Sequence, residues 1–132
     1  MLDPASYLEL VGAPASGTQR QGVLDIANGL SGLVFPTDYA KATYARLTNA
    51  GFAPQEPILQ ERLVETGGTT RQARFRNVRM AAAEFPAGHV YFCQHLTPNL
   101  VWRDEWLANP NGFRDIGAVT ITDPDPKREA AR

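Results

Sequence analysis

Short apolar segments that end at proline or glycine constrain this chain more than any other feature of its sequence. Leu30–Phe35 is an apolar run of strand type, and Pro36 ends it because a residue without a backbone N–H cannot serve a central strand. A helix is predicted next, with Thr37 or Asp38 as its N-cap and Gly51 in the left-handed position that follows many helices. The first two predicted elements are therefore a strand and a helix.

Three more strands are predicted after this helix. Ile58–Glu65 alternates between two faces, and Gly67-Gly68 follows it as the turn of a hairpin. Arg71–Phe85 is predicted as the return strand and Val90–Leu96 as the last strand, which ends at Thr97-Pro98. Residues 30–96 are therefore predicted to form one βαβββ unit with a mixed sheet, which places the chain in the α+β class.

Shorter elements are predicted on both sides of this unit. Residues 6–11 alternate with the period of a strand, residues 18–28 have the pattern of a short helix, and residues 100–107 carry two tryptophans at helical spacing. Ile116–Ile121 is predicted as a C-terminal strand, and residues 127–132 as a charged tail that frays. We expect one domain over residues 1–132, because a chain of this length buries enough surface for a single core.

The composition excludes several classes of partner. Lys and Arg total 13 and Asp and Glu total 14, so the net charge of −1 predicts no attraction to nucleic acid or to an anionic membrane. No apolar run is long enough to span a bilayer, and the N-terminus lacks the pattern of a signal peptide, which predicts a soluble, cytoplasmic protein. Cys93 is the only cysteine, so it forms no internal disulfide and is predicted to be a small buried strand residue.

Three stretches of the chain share the pattern of a known family. They are Ser6–Gly12, Leu33–Phe52 with its closing Leu-x-x-x-Gly-Phe, and Gln94–Pro98 followed by Trp102 and Asn109–Gly112. The third stretch resembles the Q-H-x-T-P…W…H-P-N-G pattern of the glyoxalase-like domain family, in the vicinal-oxygen-chelate superfamily, with Asn109 where a histidine is usual. The resemblance implies paired modules whose curved sheets form a cup for a divalent metal ion and a small oxygenated or thiol-conjugated molecule.

The resemblance also bears on the assembly of the chain. Ser6–Gly12 is similar to the fourth strand of an earlier module, and Ile116–Ile121 to the first strand of a further one. An intact member of the family begins with a strand and a helix upstream of the first of these segments. We therefore expect the chain to be a fragment, a mis-started product, or a form that completes its sheet with a second copy as a homodimer.

Two residues are candidate metal ligands. Glu9 matches the strand position from which the family supplies a metal-binding glutamate, and its alternation opposite Leu8 and Leu10 turns it away from the apolar face. His95 is the second candidate, although Cys93 is the residue that aligns with Glu9. The alternatives are a solvated strand glutamate for Glu9 and a hydrogen-bonded structural or surface histidine for His95.

Three further residues are candidates for contact with the ligand, and distance argues against one kind of metal site. Ser31, Tyr91 and Arg76 are predicted to line the cup and contact the ligand. An iron(II) site with two histidines is disfavoured for a single chain, because His89 and His95 lie six residues apart along one strand, about 20 Å at ~3.3 Å per residue. A dimer that contributes one His95 from each copy would be needed to form such a site.

The leading functional hypothesis is metal-assisted chemistry of lyase or isomerase type on a small oxygenated molecule. One alternative is a non-catalytic module of the same fold that binds a small molecule, and another is a dimerising fragment. All three hypotheses stay open at this point, with the ligand, the metal ion and the reaction unnamed.

Overall fold

The computed structural model describes residues 6–12, 15–16, 29–85, 88–106 and 110–127. Its regular elements in chain order are strand β1 (Gly32–Pro36), helix α1 (Ala40–Asn49) and strands β2 (Ile58–Thr66), β3 (Thr69–Arg79) and β4 (His89–His95). Short 3₁₀ turns lie at Ala82–Glu84, Pro98–Leu100 and Asp104–Trp106. The predicted α+β class and its βαβββ unit are confirmed.

The four strands form one curved, unclosed mixed sheet in the order β1-β4-β3-β2. β1 runs parallel to β4, whereas β3 is antiparallel to both β4 and β2. The predicted hairpin is present, since Gly67 and Gly68 take φ values of +57° and +73° and join Thr66 to Thr69. Two consecutive residues with positive φ give the turn type whose twist matches antiparallel strands, and glycine adopts it without strain.

Helix α1 ends as the sequence predicts but begins differently. Gly51 has φ +89°, and the N–H of Phe52 donates to the carbonyl of Leu47, which closes the helix. The N-cap is Tyr39, not Thr37 or Asp38. The first turn instead takes an acceptor from the sheet, because the N–H of Ala40 donates to Oε1 of Gln94 in β4 at 3.2 Å.

The chain divides into two compact units. Val11–Arg103 forms the unit that contains the sheet and α1, and Met1–Leu10 with Asp104–Arg132 forms the other. The prediction of one domain over residues 1–132 stays a prediction. No helix in the described part of the chain has the length and hydropathy that a membrane span requires.

The two flanking strands that the sequence predicts are wrong. Neither residues 6–12 nor residues 112–123 contain a strand, and Leu10 and Ile121 are 89% and 67% exposed. Alternation stabilises a strand only when a neighbour pairs with its backbone and buries its apolar face, and these segments have neither. Their first residues meet instead through a side chain, since Ser6 donates to Asp115 and accepts the N–H of Ile116 at 2.8 Å.

Two other predicted elements are shorter than expected. β3 ends at Arg79 rather than Phe85, because the run Met80–Ala83 has no alternation and leads into a 3₁₀ turn. The predicted helix over residues 100–107 is replaced by the turns at Pro98–Leu100 and Asp104–Trp106, since so short a segment does not sustain a helix by itself. The predicted helix at residues 18–28 and the tail at residues 128–132 lie outside the described residues.

Candidate functional site

The register of the sheet assigns every strand residue to one of two faces. Because Gln94 bonds the first turn of α1, the helix covers the face that contains Gln94, which we call the helix-covered face. The opposite side is the helix-free face. It carries the alternate residues of each strand: Gly32, Val34 and Pro36; Ile58, Gln60, Arg62, Val64 and Thr66; Thr69, Arg71, Ala73, Phe75, Asn77 and Arg79; and His89, Tyr91, Cys93 and His95.

A short segment after β4, residues 97–102, packs over part of the helix-free face. Leu100 is buried against Ala73, Phe75 and Cys93, which confirms the prediction of a buried cysteine. The hydroxyl of Thr97 accepts the N–H of Arg74 at 2.9 Å, and the N–H of Trp102 donates to the carbonyl of Pro98 at 2.8 Å. We call this covering piece the 97–102 segment.

His95 lies between aromatic rings at the end of β4. The Trp102 ring stacks on the imidazole with centroids 5.5 Å apart, and the Phe75 ring meets it edge-on at 5.1 Å. Nδ1 of His95 is buried and has no hydrogen-bond partner within the described residues. Burial lowers the pKa of His95 below its ordinary value, so the ring is neutral near pH 7 and keeps one acceptor and one donor nitrogen.

A second polar group on the helix-free face was missed by sequence reasoning. Asn77 is only 5% exposed, and its Nδ2 donates to Oε1 of Gln60 at 2.9 Å, but its Oδ1 is buried without a partner in the part of the chain that the structure describes. The signal was present in the sequence, since Asn77 continues the alternation of Ala73 and Phe75 and is thus an amide at a position where the pattern calls for an apolar residue.

The predicted ligand contacts are brought together only in part. Tyr91 is half-buried on the helix-free face, four residues before His95 and thus about 13 Å from it along the strand. Ser31 precedes β1 and is half-buried, and its carbonyl accepts the N–H of His89 at 2.8 Å. Arg76 pairs with Gln94 and therefore lies on the helix-covered face, on the other side of the sheet from Tyr91.

The motif around His95 also has structural work in this fold. Gln94 caps α1, Thr97 closes the end of the β3–β4 pairing, and Pro98 begins the 3₁₀ turn that carries Leu100 and Trp102. These contacts account for Gln94, Thr97 and Pro98 without any ligand. His95 is the remaining member, and its buried nitrogen is unused by the fold.

The donors on the helix-free face do not fit a divalent cation. Hard divalent ions take several oxygen ligands, carboxylates above all, and the sheet residues on this face include no aspartate or glutamate. Glu61 and Glu65 pair with Arg74 and Thr70 on the helix-covered face. Within the described residues, no three His, Cys, Asp or Glu side chains are grouped closely enough to hold a metal ion.

The predicted metal ligands fall in different units of the chain. Glu9 is exposed and belongs to the unit formed by Met1–Leu10 and Asp104–Arg132, whereas His95 belongs to the unit that contains the sheet. In the unit of Glu9, hydrogen bonds from Ser6 and from the backbone of Ile116 lower the pKa of Asp115. Glu9 and His95 as metal ligands stay a prediction, and no catalytic step through a metal follows from this arrangement.

The fold and the site together define a βαβββ module whose unclosed sheet carries, on its helix-free face, a buried apolar cluster beside a few buried polar groups. A family model described as a glyoxalase-like domain matches residues 1–132. The chain belongs to this glyoxalase-like domain family of the vicinal-oxygen-chelate superfamily, as its sequence pattern predicts. Comparison with curated proteins and with solved structures gives no significant match.

Proposed function

We propose that this glyoxalase-like domain is a module that binds a small molecule on its helix-free face, against His95. The observation that carries the proposal is the buried Nδ1 of His95, which has no partner among the described residues although two aromatic rings hold the imidazole in place. Buried polar atoms in folded proteins normally have a hydrogen-bond partner. A ligand that bonds this nitrogen supplies the missing one.

The composition of the surroundings supports a small molecule as that ligand. Small-molecule sites are mostly apolar and aromatic, with a few polar groups that fix the orientation of the ligand. The helix-free face has this character, because Ala73, Phe75 and Cys93 are buried there beside the imidazole. In this proposal Tyr91, about 13 Å from His95 along the strand, contacts only a ligand long enough to reach it, and Arg76 has no part in binding.

A screen of small neutral aromatic and aliphatic compounds by ¹H–¹⁵N NMR tests this proposal. We expect at least one compound to shift the imidazole resonances of His95 and the indole resonance of Trp102 at millimolar concentration. His95→Phe keeps a ring between Phe75 and Trp102 but removes the polar atoms, so it weakens binding about tenfold, the equivalent of ~1.4 kcal/mol. His89→Phe, an exposed position on the same strand and face, is the matched control and leaves binding unchanged. Absence of any binding, or equal binding by both variants, contradicts the proposal.

The competing function is metal-assisted chemistry of lyase or isomerase type, with Glu9 and His95 as ligands. The family resemblance favours it, because the superfamily uses divalent ions, whereas the donors described above disfavour it. Elemental analysis of the freshly purified protein separates the two functions. If the protein holds one divalent ion per chain, and both Glu9→Ala and His95→Ala lose it, the result supports the metal-assisted function and contradicts the non-catalytic binding module.

Self-association as a homodimer is a further part of the proposal. Large apolar side chains are exposed in both units, among them Leu10 and Ile121 in one and Leu30 in the other. Monomeric proteins seldom expose large contiguous apolar patches, so a second copy is a fitting cover for such side chains. Sedimentation equilibrium at micromolar concentration tests this, with a dimer expected. A monomer at every concentration contradicts it.

A further inference from the structure

Asn77 and Gln60 form an oriented pair of amides in the middle of the helix-free face. They belong to adjacent strands, and Nδ2 of Asn77 donates to Oε1 of Gln60 at 2.9 Å. This bond fixes the rotation of the Asn77 amide, so that its Oδ1 is the atom left without a partner in the described residues. The hydrogen bond to Gln60 therefore keeps Asn77 Oδ1 in a fixed orientation, as an acceptor without a partner among the described residues.

The residues beside this acceptor on the side towards β4 and the 97–102 segment are apolar. Asn77 lies directly opposite Cys93 in the register of β3 and β4, and Phe75 is the next residue of β3 on the same face. Both belong to the buried cluster that Leu100 of the 97–102 segment covers. A carbonyl oxygen in such a place costs free energy until it receives a hydrogen bond, and an apolar environment penalises a charged donor more than a neutral one.

We propose that Asn77 Oδ1 accepts a hydrogen bond from a hydroxyl or N–H group of a small neutral ligand with an apolar body, and that Gln60 is the positioning residue which keeps this acceptor free. The inference rests on the proposed function and names the class of ligand that the same face selects. Asn77 is only 5% exposed, so in this proposal the ligand reaches the acceptor by displacing side chains of the neighbouring cluster, to which Leu100 of the 97–102 segment belongs. Asn77 thus favours ligands that carry a hydrogen-bond donor over ligands that lack one. His95 bonds either the same ligand or a second ligand bound beside it on the helix-free face.

Phenol and toluene test this inference, since they have nearly the same shape and only phenol carries a donor. Dissociation constants are measured by NMR titration of the full chain, with the side-chain amide of Asn77 as the reporter. We expect phenol to bind the unsubstituted protein about tenfold more tightly than toluene, the usual size of one hydrogen bond to a buried acceptor. The amide resonances of Asn77 shift with phenol and much less with toluene.

Variants of Gln60 separate positioning from packing. Gln60→Leu removes the acceptor that holds Asn77, so the preference for phenol falls to about threefold or less, whereas Gln60→Glu keeps an oxygen for Nδ2 and restores the preference. Gln72→Leu is the matched control, because Gln72 bonds Glu61 on the helix-covered face, and it leaves the preference unchanged. The half-buried position of Gln60 makes its variants less prone to unfolding than those of Asn77.

The outcomes distinguish this inference from the proposed function. If phenol and toluene bind equally, or if phenol leaves the Asn77 amide unshifted, the donor-selective role of Asn77 is wrong while binding to the face stands. If neither compound nor any other binds, both the inference and the proposed function are wrong. If Gln60→Leu keeps the full preference, Gln60 is not the positioning residue.

Discussion

The two faces of the sheet differ in whether their polar side-chain atoms have hydrogen-bond partners. On the helix-covered face, the Gln94 amide accepts the N–H of Ala40 and thereby ties β4 to α1. On the same face, Glu61 accepts hydrogen bonds from Arg74 at 3.1 Å and from Gln72 at 2.9 Å. These three hydrogen bonds pair polar groups of the helix-covered face within the fold.

The helix-free face leaves polar groups unused. Three residues of the described strands have a buried polar side-chain atom without a partner, namely Thr66, Asn77 and His95, and all three lie on this face. Folding alone gains nothing from such atoms, since each one costs free energy when it is buried bare. In the proposed function, this difference leaves the polar groups of the helix-free face for a ligand, whereas those of the helix-covered face contribute to the fold.

The largest effect is expected from truncating a side chain of the buried cluster on the helix-free face, which tests the comparison between the two faces. Phe75→Ala removes a ring that is buried against Leu100 and Cys93 and that also holds His95. We expect the free energy of unfolding to fall by about 3–5 kcal/mol, from the lost burial and the cavity left behind. Chemical denaturation measures it. Leu63→Ala, 75% exposed on β2, is the control and changes stability by less than about 0.5 kcal/mol.

Two apolar replacements compare the faces directly. Gln94→Leu leaves the N–H of Ala40 without its acceptor, and we expect a loss of about 1 kcal/mol, which is typical of a removed helix cap. The double variant Gln60→Leu/Asn77→Leu replaces both partners of a pair that already leaves one acceptor bare, so its stability stays within about 0.5 kcal/mol of the unsubstituted protein. Equal losses in the two denaturation experiments contradict the difference between the faces.

The pH dependence of stability reports on His95. Burial lowers the pKa of His95 in the folded protein, so the unfolded chain binds a proton more readily. Below the unfolded pKa of about 6.5, stability therefore falls as the pH falls towards the folded pKa, and above it the effect vanishes. Thermal unfolding between pH 7 and pH 5 measures this fall. His95→Phe removes its share of the fall, whereas His89→Phe keeps it because His95 is still present.

The sequence predicted the sheet well because its strands are marked by both alternation and turns. Gly67-Gly68 and Gly51 fixed the hairpin and the end of α1 correctly, since both places require a positive φ that glycine supplies. Residues 6–11 and 116–121 show the limit of the same pattern. Their alternation is as good, but whether a strand forms depends on a pairing partner, which no local pattern encodes.

The candidate site was less predictable than the fold. The motif predicted His95 and included Trp102, yet the edge-on contact with Phe75, twenty residues away in β3, and the stacking of Trp102 depend on the sheet register and the path of the 97–102 segment. Sequence reasoning grouped Arg76 with Tyr91 because the register between β3 and β4 was unknown, and that register places the two residues on opposite faces. Asn77 required burial to be recognised, since an asparagine in a strand is unremarkable until it is enclosed.

The smallest expected effect concerns the ion pair between Glu61 and Arg74, whose side chains have partners but add little to the free energy of unfolding. Glu61 and Arg74 form an ion pair at 3.1 Å, but their side chains are 38% and 48% exposed, so water screens the attraction. Glu61→Gln keeps the shape, removes the charge and replaces one of the two acceptor oxygens by an NH₂ group, and because both partners are exposed we expect it to change the free energy of unfolding by less than about 0.5 kcal/mol. Denaturation in low and high salt measures it. A loss above about 1 kcal/mol that high salt reduces means that the charge of this pair stabilises the helix-covered face.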